Sequence, residues 1–296
     1  MKQTPLIALF ISIIGVSFAA VIIRTCTARP LLISFYRLLF TTVLLLPILI
    51  VIPRFRTQLK QISLKELVFM TIIGIILALH FTFWITSLQF TSVASSVILV
   101  TAHPILVAPL SYIFLKEKIS KTNIAGIFIS LSGVFTLVYG NYSGAFDQTS
   151  LYGNILAFLG GIAAGLYILG GRYMRKTVSV IIYAIIVYAI STIVLLGFIG
   201  FSKTALFSIT TEDLLLILLM AIVSGIGGHT LYNWSLAHIR ASLASVALLG
   251  EPIGSAILAL LIPWIHEIPT IWTVIGGGII LTGVYLAAKE KKEILA

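Results

Sequence analysis

The stretch that decides the fold is "SLAHIRASLASVALLGEPIGSAIL", residues 235–258, because it repeats an earlier stretch of the chain. The earlier stretch is "SLQFTSVASSVILVTAHPILVAPL", residues 87–110. At a fixed offset of 148 residues, Ser235-Leu236 aligns with Ser87-Leu88, and Glu251-Pro252 aligns with His103-Pro104. A polar residue followed by proline therefore stands at the same place in two apolar segments.

The repeat continues downstream with two inserted residues. At an offset of 150, Gly276 aligns with Gly126, and Gly283 aligns with Gly133. Self-similarity over this length indicates a duplicated unit. We therefore predict two halves, residues 1–145 and 146–296.

The composition predicts a polytopic membrane protein of the all-α class. Of the 296 residues 59% are hydrophobic and only 9% are charged, whereas a soluble domain carries about 25% charged residues. Apolar runs of about 20 residues, the length that crosses a bilayer as a helix, recur throughout. We predict ten transmembrane helices, at 5–23, 31–52, 66–87, 92–115, 121–140, 151–171, 179–201, 213–237, 241–265 and 270–288.

The basic residues predict the orientation of these spans. With ten spans both termini lie on one face, and 15 Lys and Arg residues fall on that face against 3 on the other. Because basic residues mark the cytoplasmic side, both termini are expected in the cytoplasm of a cell whose plasma membrane holds the protein. The net charge of +10 is thus explained by membrane topology, and no nucleic-acid partner is expected.

An odd number of spans in each half predicts that the halves are inverted relative to one another. Two inverted five-helix repeats around a central cavity are the organisation of many secondary transporters, with the binding site near the bilayer midplane. The partners expected from this arrangement are a small-molecule solute and the lipid bilayer, with protons as a candidate coupling ion. The sequence does not determine whether the chain forms homo-oligomers.

The last two spans of each half carry a family resemblance. The segments "ASSVILVTAHPILVAPLSYIFLKEKISKTNIAGIFISLSGVFTL" and "ASVALLGEPIGSAILALLIPWIHEIPTIWTVIGGGIILTGVYL" resemble the two EamA repeats of the drug/metabolite transporter superfamily. The resemblance covers essentially the whole chain. It implies ten helices in an inverted arrangement, a central substrate cavity and transport of small metabolites, commonly efflux. The first repeat departs from the family pattern at Leu115-Lys116-Glu117, where the loop contains no Gly.

Glu251 is the acid that lies deep within a predicted span. An ionisable group at that depth is costly and usually faces a cavity or a partner, so we expect Glu251 to carry a proton, bind a substrate amine or form a gate. In a structural role it would instead bond a carbonyl freed by Pro252. His103 holds the equivalent place in the other half, either as the partner of Glu251 or as a packing histidine. Pro104 and Pro252 are expected to kink their helices.

Further polar and aromatic residues cluster by helical spacing. His80 and Trp84 share a face of the third span, and the eighth span carries a similar stripe, formed by His229, Tyr232 and Asn233. These groups would suit an amphipathic organic solute, although aromatic residues near an interface also serve as membrane anchors.

Tyr36-Arg37 lies about two turns below the outer end of the second span. Arg37 is expected to snorkel toward the outer surface, or, in the alternative, to guide an anionic group through the outer vestibule with Arg24 and Arg29 at the same face. Tyr36 is expected in the same vestibule.

The motifs favour a transporter over an enzyme. The sequence contains no Gly-x-Ser-x-Gly elbow, no His-Glu-x-x-His pattern and no Walker loop, so no catalytic residue, metal or cofactor is predicted. We expect a secondary transporter of amino acids or related metabolites, acting as an exporter by alternating access. The alternatives are a passive channel and an intramembrane enzyme or haem protein that uses His80, His103 and His229.

Overall fold

A computed structural model of the chain describes residues 4–91, 93–140, 148–262 and 270–288. Every regular element within these residues is helical. The α-helices are α1 (Thr4–Thr25), α2 (Pro30–Val51), α3 (Pro53–Gln61), α4 (Leu64–Ser87), α5 (Val93–Thr101), α6 (Pro104–Leu115), α7 (Lys121–Gly140), α8 (Gln148–Met174), α9 (Val180–Phe201), α10 (Thr211–Met220), α11 (Leu231–Ser235), α12 (Ala241–Ala247), α13 (Glu251–Leu261) and α14 (Ile271–Ala288). A π-helical segment, Ala221–Thr230, joins α10 to α11, and a 3₁₀ turn, Leu248–Gly250, joins α12 to α13.

Seven helical segments within the described residues are long and apolar enough to cross a membrane. Two shorter apolar helical stretches, Leu99–Leu115 and Val274–Ala287, accompany them. The prediction of an all-α membrane protein is therefore confirmed, and the total of ten spans stays a prediction. The predicted boundary between the halves, at residue 145, lies outside the described residues.

Local sequence explains where several of these helices begin. Ser63 caps α4 through a reciprocal capping box, in which its hydroxyl accepts from the Glu66 amide and the Glu66 carboxylate accepts from the Ser63 amide. Such pairing satisfies two amide groups that have no partner inside the helix. Pro30 starts α2 at a position where its missing N–H costs nothing.

Helix α3 was not predicted. It occupies the basic connection between α2 and α4, and its Phe55 side chain is buried. The Gln58 side-chain amide accepts from Ser179 N at 3.2 Å and donates to Thr177 O at 3.5 Å. These nine mostly polar residues do not form an apolar run long enough to predict a transmembrane helix. The sequence therefore carries no signal for this helix.

Helices α7 and α14 pack closely and run antiparallel. A Cβ atom at Gly126 would lie 2.6 Å from the Gly283 carbonyl oxygen, and one at Gly133 would lie 2.7 Å from the Gly276 carbonyl oxygen. Small residues that let backbones approach are the usual basis of helix association in membranes. The glycines that align in the repeat are therefore packing residues.

Helix α1 makes a second close contact, with the π-helical segment. A Cβ at Gly15 would lie 2.8 Å from Gly228 N, and the Ser224 hydroxyl donates to the Gly15 carbonyl at 2.8 Å. Helix α4 likewise packs against α8, where a Cβ at Gly160 would lie 3.2 Å from Trp84 N. Two long helices of one half are thus held directly against helices of the other.

The connection between α1 and α2 is tied to the start of α10. The Asp213 carboxylate accepts from Thr27 N at 2.9 Å and from the Thr27 hydroxyl at 2.8 Å. Asp213 is 3% exposed. Cys26 lies beside this carboxylate, and burial, together with the charge of Asp213 and a hydrogen bond to it, raises the pKa of the Cys26 thiol to about 12.

Because the thiolate is the reactive form, we expect Cys26 to resist alkylation. At pH 8 iodoacetamide should label this single cysteine at least about tenfold more slowly than an exposed cysteine of ordinary pKa. Asp213→Asn should speed the reaction because it removes the negative charge. Mass spectrometry over a time course gives the rates, and labelling of the wild type at the rate of a free thiol would contradict the burial described here.

Candidate functional site

A partly open cavity of about 50 Å³ lies between the two predicted halves. This volume has room for a few water molecules, since one water needs about 10–15 Å³. Its walls come from helices of both halves. The lining residues are Val16, Ala19, His80, Trp84, Val100, Thr101, His103, Ala164, Tyr167, Ile168, His229, Tyr232, Leu248 and Glu251.

Two helix interruptions bring His103 and Glu251 to this cavity. Helix α5 ends at Thr101 and α6 begins at Pro104, so His103 stands in the break. In the other half Glu251 follows the 3₁₀ turn and opens α13, with Pro252 next to it. Since proline cannot donate a backbone hydrogen bond, each helix is interrupted at its proline, and the interruption places a polar side chain against the cavity.

One wall of the cavity is a pair of stacked rings. The rings of His80 and Trp84 are nearly parallel, with centroids 5.9 Å apart. His80 Nδ1 lies 3.0 Å from the Gly160 carbonyl oxygen, so Nδ1 must be the donor and Nε2 is the acceptor of the neutral ring. This wall offers an aromatic face together with a hydrogen-bond acceptor.

The second half contributes His229 and Tyr232 to the lining. His229 lies in the π-helical segment, and its ring makes a T-shaped contact with the Phe81 ring, with centroids 5.4 Å apart. Single π-helical turns in α-helices are frequently found at functional sites. A uniform α-helix would rotate the residues after this segment to a different face, so the irregular turn decides which side chains reach the cavity.

Several polar atoms of the lining residues have no hydrogen-bond partner among the described residues. They are Trp84 Nε1, His103 Nδ1 and the Tyr232 hydroxyl, and all three side chains are at least about 95% buried. An unsatisfied buried polar group costs about 1–3 kcal/mol. Three unpaired polar atoms around one cavity could form hydrogen bonds with a polar solute.

Comparison with known proteins identifies the family to which this chain belongs. A profile of the EamA-like transporter family matches residues 3–139 and 151–289. The chain belongs to the EamA-like transporter family. It contains the EamA domain twice, and the chain is an integral membrane protein and a membrane transporter that handles a small solute.

Individual relatives of this EamA protein support the same conclusion. Two uncharacterized transporters of Archaeoglobus fulgidus are 24% and 27% identical to it, over 99% and 98% of this chain and 99% and 100% of theirs. The uncharacterized transporter YoaV of Bacillus subtilis is 26% identical over 92% of this chain and 91% of its own length. The names indicate transporters rather than enzymes.

A solved crystal structure has the same fold as the EamA chain, with a TM-score of 0.77 and 16% sequence identity. The match covers 97% of both chains. At this identity the likeness concerns the fold.

Asn233 lies behind the cavity of the EamA protein. Its side-chain nitrogen donates to the hydroxyl of Tyr167, a lining residue, and to that of Tyr188 at 3.3 Å. Asn233 therefore positions Tyr167 and does not itself line the cavity, although the other six residues predicted to bind or couple the solute do.

Arg37 lies deeper than the sequence indicated. The side chain is 1% exposed, and its guanidinium carbon stands 4.6 Å from the centre of the Phe81 ring. Its two terminal nitrogens have no hydrogen-bond partner among the described residues, and Glu251 is among the charged groups that act on it electrostatically. A guanidinium held on an aromatic face inside the bundle is stabilised by the ring, so it does not extend to the surface as a snorkelling side chain would.

The contacts of Tyr36 indicate a packing role rather than a role in an outer vestibule. Its hydroxyl donates to the Leu206 carbonyl at 3.1 Å, and its side chain is 9% exposed. The hydroxyl thus fixes α2 to the connection that follows α9, and the aromatic ring packs at the edge of Phe35.

Sequence reasoning missed Tyr167, which lines the cavity from α8. The signal that could have found it is a lone tyrosine among small residues, in the stretch "GGIAAGLYILGG", residues 160–171. Within the described residues, no group of three or more His, Cys, Asp or Glu side chains is arranged to hold a metal ion.

Proposed function

We propose that this protein is a secondary transporter that exports small organic metabolites, amino acids or related compounds, by alternating access. The observation that carries the proposal is the cavity at two interrupted helices, one from each half, with Glu251 on its wall. Discontinuous helices that meet at the middle of the membrane are the usual construction of a carrier site. An interrupted helix exposes backbone groups that a solute or ion can bind.

The inverted relation of the halves is part of this proposal. Gly126 and Gly133 of α7 align in the sequence with Gly276 and Gly283 of α14. In the structure the pairing is crossed: Gly126 lies against Gly283, and Gly133 lies against Gly276. Reciprocal contact of this kind is what a two-fold axis between equivalent helices produces. It therefore supports two inverted five-helix repeats that rock against one another.

The charges around the cavity suit a zwitterionic solute. Glu251 supplies a carboxylate to the wall, and the buried Arg37 guanidinium, which does not line the cavity, acts on it electrostatically. A solute ammonium group complements Glu251, the positive field of Arg37 favours a solute carboxylate, and the stacked His80 and Trp84 rings offer contact to an apolar side chain. Glu251 is also the proposed proton carrier, since a carboxyl at this depth can exchange its proton when the site opens.

The orientation and location follow from the charges. We place both termini in the cytoplasm, together with the helix ends that carry most of the Lys and Arg residues. The protein itself is placed in the plasma membrane. The work of export then comes from the solute gradient or from a proton gradient, because the sequence contains no nucleotide-binding loop.

Counterflow in proteoliposomes tests the proposal against the passive channel. Vesicles are loaded with an unlabelled amino acid, amine or monocarboxylate, and diluted into a trace of the labelled compound. A carrier should accumulate label transiently above equilibrium for at least one zwitterion, and an imposed pH gradient should change the rate. A channel gives no counterflow, so equilibration without overshoot across the whole panel would contradict alternating access. An absorbance spectrum of the purified protein tests the haem alternative.

A further inference from the structure

A polar cluster outside the cavity joins the two halves of the chain. Glu117, in the connection after α6, is 7% exposed. Its Oε1 accepts from Arg172 Nε at 2.7 Å, and its Oε2 accepts from Ala241 N at 2.9 Å. Arg172 in turn donates from Nη1 to the Leu236 carbonyl at 2.7 Å. One carboxylate thus holds the end of α8 and the start of α12.

The Ala241 contact replaces a missing helix cap. Arg240 occupies the N-cap position of α12, and its side chain makes no capping hydrogen bond there. Glu117, which belongs to the first half, supplies the acceptor in its place. An acceptor for the first amide groups stabilises the start of a helix, so a residue of the first half contributes to how firmly α12 is held.

The backbone before Glu117 is built for this contact. Lys116 adopts φ 56°, in the left-handed region, and its N–H donates to the Ser111 carbonyl. The Glu117 N–H donates to the same carbonyl at 3.2 Å. This turn ends α6 and directs Glu117 toward the other half. Glycine would adopt the same conformation without strain.

Each contact of Glu117 lies on a path to the cavity. Helix α12 leads through the 3₁₀ turn to Glu251, and Arg172 follows the lining residue Tyr167 by five residues, or about 7.5 Å of helix. Leu236 follows Tyr232, another lining residue, by four residues. If the Glu117 contacts break, α8 and α12 each lose one hydrogen bond that ties them to the first half at this end.

We propose that Glu117, with Arg172 and Ala241 N, forms a latch that closes the cavity toward the Lys- and Arg-rich end of the molecule. The latch opens when the solute passes through that end and closes when the cavity faces the other way. Charge-assisted hydrogen bonds suit this task because they are strong when aligned and are replaced by water when the groups separate. This inference rests on the proposed function, in which that end faces the cytoplasm.

Site-directed labelling tests the latch without measuring transport. A reporter cysteine is placed on the cavity wall by Ala164→Cys in a Cys26→Ser background, and a membrane-impermeant maleimide is applied to the cytoplasmic side of oriented vesicles. Glu117→Gln should raise the labelling rate at least about tenfold, the change expected for loss of one charge-assisted hydrogen bond. Glu117→Ala, which also removes the acceptor for Ala241 N, should raise it further.

Matched variants separate the latch from general destabilisation. Glu66→Gln removes an exposed carboxylate that caps α4, and it should leave the labelling rate unchanged. Lys116→Gly should also leave it unchanged because glycine keeps the turn. If Glu117→Gln does not give monodisperse protein, Arg172→Lys replaces it, since lysine keeps the charge but loses the paired contacts, and a rise in labelling is again expected.

A labelling rate that stays at the wild-type value in a folded Glu117 or Arg172 variant would overturn the latch. That result would leave the transporter proposal standing as long as the wild type shows counterflow. Absence of counterflow in the wild type would instead count against the proposed function itself, whatever the labelling shows.

Discussion

Glu251→Gln should lower solute transport at least about tenfold and remove the response of the remaining transport to a pH gradient. Within the described residues that line the cavity Glu251 is the one acid, and glutamine keeps the shape and a hydrogen-bonding oxygen without the charge or the exchangeable proton. The loss of a charged hydrogen bond to a solute amine, about 1.5–3 kcal/mol, corresponds to a factor of roughly 10 to 100. Initial rates in proteoliposomes with and without the gradient give both quantities.

The control is Glu212→Gln, which alters an exposed carboxylate at the start of α10. This variant should transport at the wild-type rate. Equal melting temperatures of the two variants would show that folding is not at issue. If Glu251→Gln kept full transport with the wild-type pH response, Glu251 would have only the structural role of supporting the interrupted helix.

Gly283→Ala should lower the apparent melting temperature of the protein by about 2–12 °C. The added Cβ would lie 2.6 Å from the carbonyl oxygen of Gly126, and backbone cannot move aside as a flexible side chain can. Overpacking costs about 1–3 kcal/mol, and each kcal/mol shifts the melting temperature of a chain of this size by about 2–4 °C. A thermal shift assay in detergent measures the effect.

Gly278→Ala is the matched control on the same helix. Apart from the neighbouring backbone of α14 itself, no atom of the described residues lies within 4 Å of the position its Cβ would take, so the melting temperature should stay within about 1–2 °C of the wild type. Equal effects of the two substitutions would mean that the packing of α7 against α14 does not contribute to stability. The comparison also tests whether the glycines that align in the repeat stabilise the protein through close helix packing.

The site was predictable where its residues stand out against an apolar background. An acid, three histidines and their neighbouring aromatics are conspicuous in spans that otherwise contain mostly aliphatic residues, and Glu251, His103, His80, Trp84, His229 and Tyr232 line one cavity. The repeat also linked His103 with Glu251 before any helix was placed. Periodicity and the cost of burying a polar group in a membrane were sufficient for this part.

Other features of the structure depend on contacts between helices, which the order of residues along the chain does not reveal. The π-helical segment 221–230 shifts the register of its helix, and the three glycines in its sequence, AIVSGIGGHT, do not by themselves specify a π-helix. Arg37 looked like a snorkelling residue from its distance to the span end, and the Phe81 ring that holds it lies on another helix. Glu117 lies in a loop by sequence, and only the approach of Arg172 and Ala241 turns it into a buried contact.

The most direct test of the central claim is the reactivity of the cavity itself. The claim is that the space beside Glu251 is a wet chamber that opens to each side of the membrane in turn and holds the solute. In the Ala164→Cys, Cys26→Ser protein, an impermeant maleimide should label the cavity cysteine from either side, and a transported solute should slow labelling from both. A cysteine that reacts from neither side, or that reacts at a rate no transported solute alters, would contradict the account.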